Sequence, residues 1–330
     1  MLRSLDLRSF VLAWVAVLPF VSCGKQMNPA ALDSAAAGES SDVAHAAIAA
    51  AVADPARPQD DRKRDERRKP DAVLAFMQVR PGLSVFDIEA GDGFMTELFS
   101  RVVGSQGSVV MQNPKEFRSF MGDKIDARLA GNRLRNVRVS YSYFDALDAA
   151  SASTDLVAWV MGPHELYCRA DCGNAPMGNP ATAYSEIFRI LKPGGTFVVI
   201  DHAAAAGSPE TTGNDVHRID PAIVKRMAAQ TGFVLEAESD LLVNPDDPLT
   251  ANIRDMQRDH TSKFLLRFRR PHLDFPPTGA ASPAVHTGPE GEAAHKLQRN
   301  APGVAIDRPL WGGRFERSED SSWPISATRC

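Results

Sequence analysis

Cysteine is scarce in this sequence. Cys23, Cys168, Cys172 and Cys330 are the four in 330 residues, too few for a disulfide scaffold and without the two CxxC pairs of a zinc ribbon or knuckle. A basic excess is missing too. Lys+Arg 37 against Asp+Glu 41 leaves a net charge of −4, so the chain lacks the positive field on which nucleic-acid binding depends, and no nucleic-acid partner is expected. Long hydrophobic runs are also lacking. The uncharged run from Phe10 to Phe20 falls well short of the ~20 residues a membrane-spanning helix requires. What remains is ordinary globular material, 44% apolar and 24% charged, which excludes a wholly disordered or collagen-like chain.

Arg3 and Arg8, the apolar run and Val21-Ser22-Cys23 have the layout of a secretory signal over residues 1–22. Cys23 after a small residue resembles a lipoprotein processing site. Lipidation at Cys23, giving a membrane tether, and soluble release are the two alternatives, and either places the protein in the periplasm or cell envelope. Residues 23–42 read as an Ala-rich tether, and residues 43–271 as one domain. Residues 272–330, rich in Pro, Gly, Ala and Ser at their start, read as a disordered tail. The charge cluster Asp60 to Lys69 is expected to form a solvated cap. A helix is predicted over 71–78, with Val73, Leu74 and Met77 on its apolar face.

From Leu83 to Arg270 short β-rich runs alternate with helical stretches. Strands are predicted at 84–88, 108–111, 137–141, 156–161, 196–201, 233–239 and 263–269, and helices at 95–103, 181–191 and 221–230. Runs such as Phe197-Val198-Val199-Ile200 suit strands buried on both faces. The expectation is a doubly wound α/β domain with a mostly parallel, seven-stranded sheet.

The most informative segment is Val85-Phe86-Asp87-Ile88-Glu89-Ala90-Gly91-Asp92-Gly93-Phe94-Met95, a strand, a glycine turn and a helix start. Such turns lie at the carboxyl end of the sheet, where open α/β folds bind ligands. Gly91 and Gly93 allow close approach of the backbone to a cofactor. Carboxylates at Asp87, Glu89 and Asp92 would repel a pyrophosphate, which disfavours NAD, FAD and a nicotinamide-dependent oxidoreductase. They suit a ligand carrying an ammonium group and a cationic sulfur, as S-adenosylmethionine does.

At these residues the chain resembles the class I S-adenosylmethionine-dependent methyltransferases, whose first motif has an acidic residue before a glycine-rich turn. Glu186 to Leu191, Lys192-Pro193-Gly194-Gly195 and Thr196 to Asp201 resemble the helix, turn and fifth strand of that superfamily. The resemblance extends to a bacterial group of exported, predicted methyltransferases through Arg67 to Pro70, Val79 to Gly82, Asp201-His202 with Gly207-Ser208, His217 to Pro221, Glu238 to Leu242 and Arg267 to Arg269. It implies a Rossmann-like methyltransferase fold, S-adenosylmethionine as cofactor and a small or lipid-like methyl acceptor. It also implies cofactor-binding roles for Asp87, Glu89, Gly91 and Gly93, for Gln112 at the usual ribose-binding position after the second strand, and for Asp145 at the adenine-binding position. Two departures stand out. Glu89 replaces the usual first glycine, and Gln112 replaces a carboxylate, a weaker acceptor.

Methyl transfer needs in-line positioning, and a base only where the acceptor loses a proton. His164 after the fourth strand, His202 at the end of the fifth and His217 before the next helix are the candidate catalytic groups. Cys168 and Cys172 are expected to form a local disulfide in an oxidising compartment. A zinc site using them with His164 is the sharper alternative. It is set aside because Gly162-Pro163 argue for a loop and no fourth ligand is evident, so no metal centre is expected. The competing function is a methyltransferase-like fold kept as an envelope binding module without turnover.

Overall fold

The computed structural model describes residues 29–121, 123–168 and 178–272. The leader, Cys23, Cys172 and the 272–330 segment beyond His272 lie outside the described residues. Seven strands form one sheet in the order β3-β2-β1-β4-β5-β7-β6: β1 (Ser84–Ile88), β2 (Ser108–Gln112), β3 (Val137–Ser140), β4 (Thr154–Val160), β5 (Leu191–His202), β6 (Val234–Ser239) and β7 (Lys263–Arg269). Pairing is parallel from β3 through β5. Only β7 runs antiparallel to its neighbours, against β5 and β6. The sheet reverses direction of winding at β1/β4, so the carboxyl ends of these strands form the natural ligand crevice.

Among the described residues ten α-helices accompany it: α1 (Pro29–Ala53), α2 (Gln59–Arg62), α3 (Asp65–Arg68), α4 (Pro70–Phe76), α5 (Phe94–Val103), α6 (Phe117–Met121), α7 (Lys124–Leu129), α8 (Pro180–Ile190), α9 (Thr212–Val216) and α10 (Pro221–Thr231). Helix α1 begins inside the stretch read as a tether. Local chemistry sets several boundaries. The Asn179 side chain caps α8 by accepting from the Thr182 N–H at 3.0 Å, and Pro180 follows at the first helical position. Asp220 caps α10 through the Ala222 N–H at 2.8 Å, and Gly232 ends it at φ 100°.

Alternate residues of each central strand enter different cores. Phe86, Ile88, Val157, Trp159, Phe197 and Val199 pack on one face with Tyr184 and Ile187 of α8 and Val224 of α10. Val85, Leu156, Ala158, Val198 and Ile200 pack on the other with Leu98, Phe99 and Val102 of α5, Leu74 of α4 and Ile48 of α1. Burial on both faces explains why these strands are continuously apolar. Among the described residues no helix is long and apolar enough to cross a membrane.

The cluster from Asp60 to Lys69 is solvated in part: Asp60, Arg62, Lys63, Glu66, Arg67 and Lys69 are exposed, and the remaining charges turn inward. Asp61 is 6% exposed and pairs with buried Arg128. Arg64 and Arg68 reach Asp259 at 2.7 and 2.9 Å. These partners lie far along the chain, and closing onto them draws Asp61, Arg64 and Arg68 away from water.

Candidate active site

Three left-handed residues shape the turn after β1: Glu89 at φ 53°, Gly91 at 58° and Gly93 at 86°. At Gly93 the φ of 86° itself favours glycine, and a Cβ there would stand 2.9 Å from Met111 Cε, which would have to shift. At Gly91 the nearest atom to such a Cβ is Met121 Cε at 3.9 Å, and the space beside it is open. The turn is tied to β2 and the residue after it. The Glu89 N–H donates to Gln112 Oε1 at 2.9 Å, the Gly91 N–H donates to Asn113 Oδ1 at 2.8 Å, and Gln112 Nε2 donates to the Ser142 carbonyl at 2.6 Å.

A cavity of about 250 Å3 opens at this turn, walled by Asp87, Glu89, Gly91 and Asp92 on one side and by Phe94, Met95, Val160 and Met161 on another. A larger cavity, about 510 Å3, lies at the opposite end of the sheet, beside Leu83, Asp155 and Gly194, away from the carboxyl ends of the strands. Asp87 is fully buried. Its Oδ2 accepts from Thr96 Oγ1 at 2.6 Å, and its Oδ1 has no hydrogen-bond partner among the described residues. Burial pushes this carboxyl up to about 7, against the Thr96 bond. An unpaired acidic oxygen beside a glycine-lined cavity suits a ligand that brings positive charge and donors, and S-adenosylmethionine fits that description.

Glu89 lines the cavity, but its carboxylate turns toward β4. Oε2 accepts from Trp159 Nε1 at 3.0 Å. Gly162 is bare at that point, since a Cβ there would lie 2.0 Å from Glu89 Oε2. Burial, reinforced by nearby Glu165, pushes the Glu89 carboxyl well above its ordinary range.

The three candidate histidines converge behind Glu89. His164 follows β4, His202 ends β5, and His217 is the C-cap of α9 at φ 55°. The His164 ring lies 5.8 Å from His202 and 5.7 Å from His217, centroid to centroid. Asp201 organises them. Its carboxylate accepts the His164 N–H at 2.9 Å and the His202 N–H at 2.7 Å, and Oδ1 meets His164 Nδ1 at 2.8 Å. Burial alone would lower the His164 pKa, but Asp201 and Glu165 outweigh it and raise it well above the usual value. His202 moves the other way, lowered by burial and by the neighbouring His164 and Lys263 charges, while its Nδ1 is held by Thr261 Oγ1 at 2.7 Å. Glycine at 213 brings α9 close: a Cβ there would stand 2.5 Å from the His164 carbonyl oxygen.

Of the cofactor residues expected from the sequence, Asp87, Glu89 and Gly91 therefore meet at one cavity. Gly93, Gln112 and Asp145 are not among the residues lining it. Gly93 seats the turn, and both ends of the Gln112 amide hold the loop, so the amide is engaged in scaffolding. Asp145 Oδ2 accepts the Asn179 N–H at 2.8 Å, which fixes the start of α8. Phe94, Arg64 and Arg68 escaped the sequence reading. The Arg68 and Arg64 guanidinium groups lie over the Phe94 ring at 4.5 and 5.5 Å and complete the cavity rim. Cys168 is disulfide-bonded.

The ubiE/COQ5 methyltransferase family model matches residues 64–211. Among curated relatives, the ubiquinone/menaquinone biosynthesis C-methyltransferase of Cronobacter sakazakii is 25% identical over 196 residues, 57% of this chain and 71% of that protein. Its counterparts from Saccharophagus degradans and Hydrogenovibrio crunogenus are 32% and 29% identical, and in each case the alignment covers 39% of this chain and 47% or 46% of the relative. The chain thus spans about half the length of those two proteins. A solved S-adenosylmethionine-dependent methyltransferase from Aquifex aeolicus aligns over 63% of this chain and 93% of its own, at 18% identity and a TM-score of 0.46. With the acidic glycine turn at the ligand end of a sheet ordered 3-2-1-4-5-7-6, and the family match running from before β1 to beyond β5, the chain has the Rossmann-like methyltransferase fold and is similar in sequence to the class I S-adenosylmethionine-dependent methyltransferases.

Proposed function

We propose that the protein transfers a methyl group from S-adenosylmethionine to a small or lipid-like acceptor in the cell envelope. The observation that carries this reading is the apolar wall that the cofactor cavity shares with a neighbouring recess. Phe94, Met95, Val160 and Met161 also line an apolar recess of about 30 Å3, the space of one water, against Ile200, Leu242 and Lys263, so the wall beside the cofactor is apolar, which favours a hydrophobic acceptor group there. The relatives are named for ubiquinone/menaquinone biosynthesis, which agrees with an acceptor of that character.

When bound, the cofactor supplies an electrophilic methyl group on a sulfonium centre. Asp87, Glu89 and Gly91 are the residues assigned to hold it. Val160, Met161 and Ile200 would keep the acceptor in line and exclude water, which is where most of the rate advantage of such a displacement arises. Where the acceptor has a proton to lose, His202 is the candidate base, oriented by Thr261. Envelope localisation rests on the leader pattern and is supported by the disulfide at Cys168.

The engagement of Gln112 in the scaffold favours a second reading, cofactor binding without turnover. Calorimetry of the purified protein with S-adenosylmethionine and its demethylated product, followed by label transfer into envelope lipid extract, separates the readings. Binding with transfer supports the first, and binding without transfer the second. The Gly91→Val variant should keep the fold and lose at least about tenfold in affinity, because φ 58° strains a β-branched residue beside the ligand. Absence of binding by the unsubstituted protein overturns both.

A further inference from the structure

His164, Glu165 and His217 bring ligand-type atoms together beside the carboxyl ends of β4 and β5. Glu165 Oε1 lies 3.5 Å from His164 Nε2 and 3.7 Å from His217 Nδ1. Both gaps are too long for a good N–H···O bond. Ligand atoms held about 2.0–2.2 Å from one tetrahedral cation stand about 3.3–3.6 Å apart. One ligand atom from each residue lies within 4.8 Å of the other two.

We propose that His164, Glu165 and His217 bind one divalent first-row transition metal ion. Two imidazoles and a carboxylate suit zinc, iron(II) or cobalt(II) better than calcium or magnesium, which prefer all-oxygen shells. Outer contacts are already in place. His164 Nδ1 faces Asp201 Oδ1 at 2.8 Å, the carboxylate–histidine arrangement that fixes the ring and leaves Nε2 for a metal. Both histidines are enclosed, at 2% and 3% exposure, which shields bound metal from competing water. Three protein ligands leave at least one coordination position open, as in catalytic rather than structural sites. The disulfide at Cys168 removes that thiol from the ligand set. The site adjoins Glu89 at the carboxyl ends of β4 and β5.

The test uses the full chain freed of metal by chelation and then titrated with Co2+ alone, read by visible ligand-field absorption, and with Zn2+ alone, read by calorimetry. One equivalent of each, with Co2+ absorption stronger than that of the aqueous ion, is expected. Glu165→Gln preserves shape, and His217→Asn removes the imidazole with a residue that tolerates positive φ. Each should weaken binding at least about tenfold, as should Asp201→Asn through its effect on His164. Circular dichroism checks that the variants remain folded. No stoichiometric binding by the unsubstituted protein, or equal binding by folded Glu165→Gln and His217→Asn variants, overturns the proposal. Because the probe is metal alone, that failure would leave methyl transfer untouched.

Discussion

Arg218 and Asp247 offer the sharpest energetic test, because both side chains are 0% exposed. The guanidinium meets the carboxylate through two bonds of 2.9 Å and also donates to the Ala203 and Ala251 carbonyls at 2.9 and 2.7 Å. Asp247 in turn accepts the Leu249 and Ser262 N–H groups. The pair pins the 244–251 loop against the ends of β5 and β7, directly beneath His202 and His217. Arg218→Met keeps a long apolar stem but strands a buried carboxylate, which costs about 3–5 kcal/mol. For a domain of this size that corresponds to a Tm fall of about 6–20 °C. Adding Asp247→Asn removes the stranded charge, so the double variant should recover much of the loss. Recovery stays incomplete, since one of the two backbone N–H groups loses a strong acceptor. Urea denaturation followed by far-ultraviolet circular dichroism measures all three proteins. A loss below about 1 kcal/mol in Arg218→Met, or a double variant no more stable than the single one, would refute the description of this pair as a buried charged unit.

Two further perturbations follow from the same contacts. Gly162→Ala places a methyl group 2.0 Å from Glu89 Oε2 and 2.1 Å from Trp159 Nε1, so the Trp159–Glu89 bond must break; a loss of about 1–3 kcal/mol in urea denaturation is expected, and an unchanged midpoint would contradict it. Acid stability should depend on Glu97. Burial alone would raise its carboxyl, but Arg133, Arg128 and Arg101 outweigh it and hold it down at about 2, below the unfolded value of ~4.3. A depressed pKa contributes stability above the unfolded value that is lost as pH falls from ~4.3 toward about 2. Glu97→Gln should therefore flatten the acid limb of a Tm-against-pH curve, and an unchanged limb would remove the assignment.

Strands β1 and β7 fall where their residue patterns place them, and α10 extends only to Thr231, because period-2 and period-3.6 burial and capping residues act within a few neighbours. The sequence by itself therefore determined the order of elements, the parallel core and the acidic glycine turn. It also named the three histidines without being able to join them. Their meeting depends on β4 and β5 pairing side by side and on Gly213 admitting α9 against the 163–167 turn. Residues 37 positions apart, His164 and Asp201, become hydrogen-bonded partners only through that pairing. The same distance in sequence hid the fate of the charge cluster, since Arg64 finds Asp259 195 residues later. Gln112 was legible as an amide at a ligand position, yet its role was decided by which acceptor and donor the folded β2 end set before it, Glu89 N–H and the Ser142 carbonyl. Local pattern specifies what each segment is; which side chains face one another, and whether a charge is solvated or enclosed, arises only when distant segments close and exclude water.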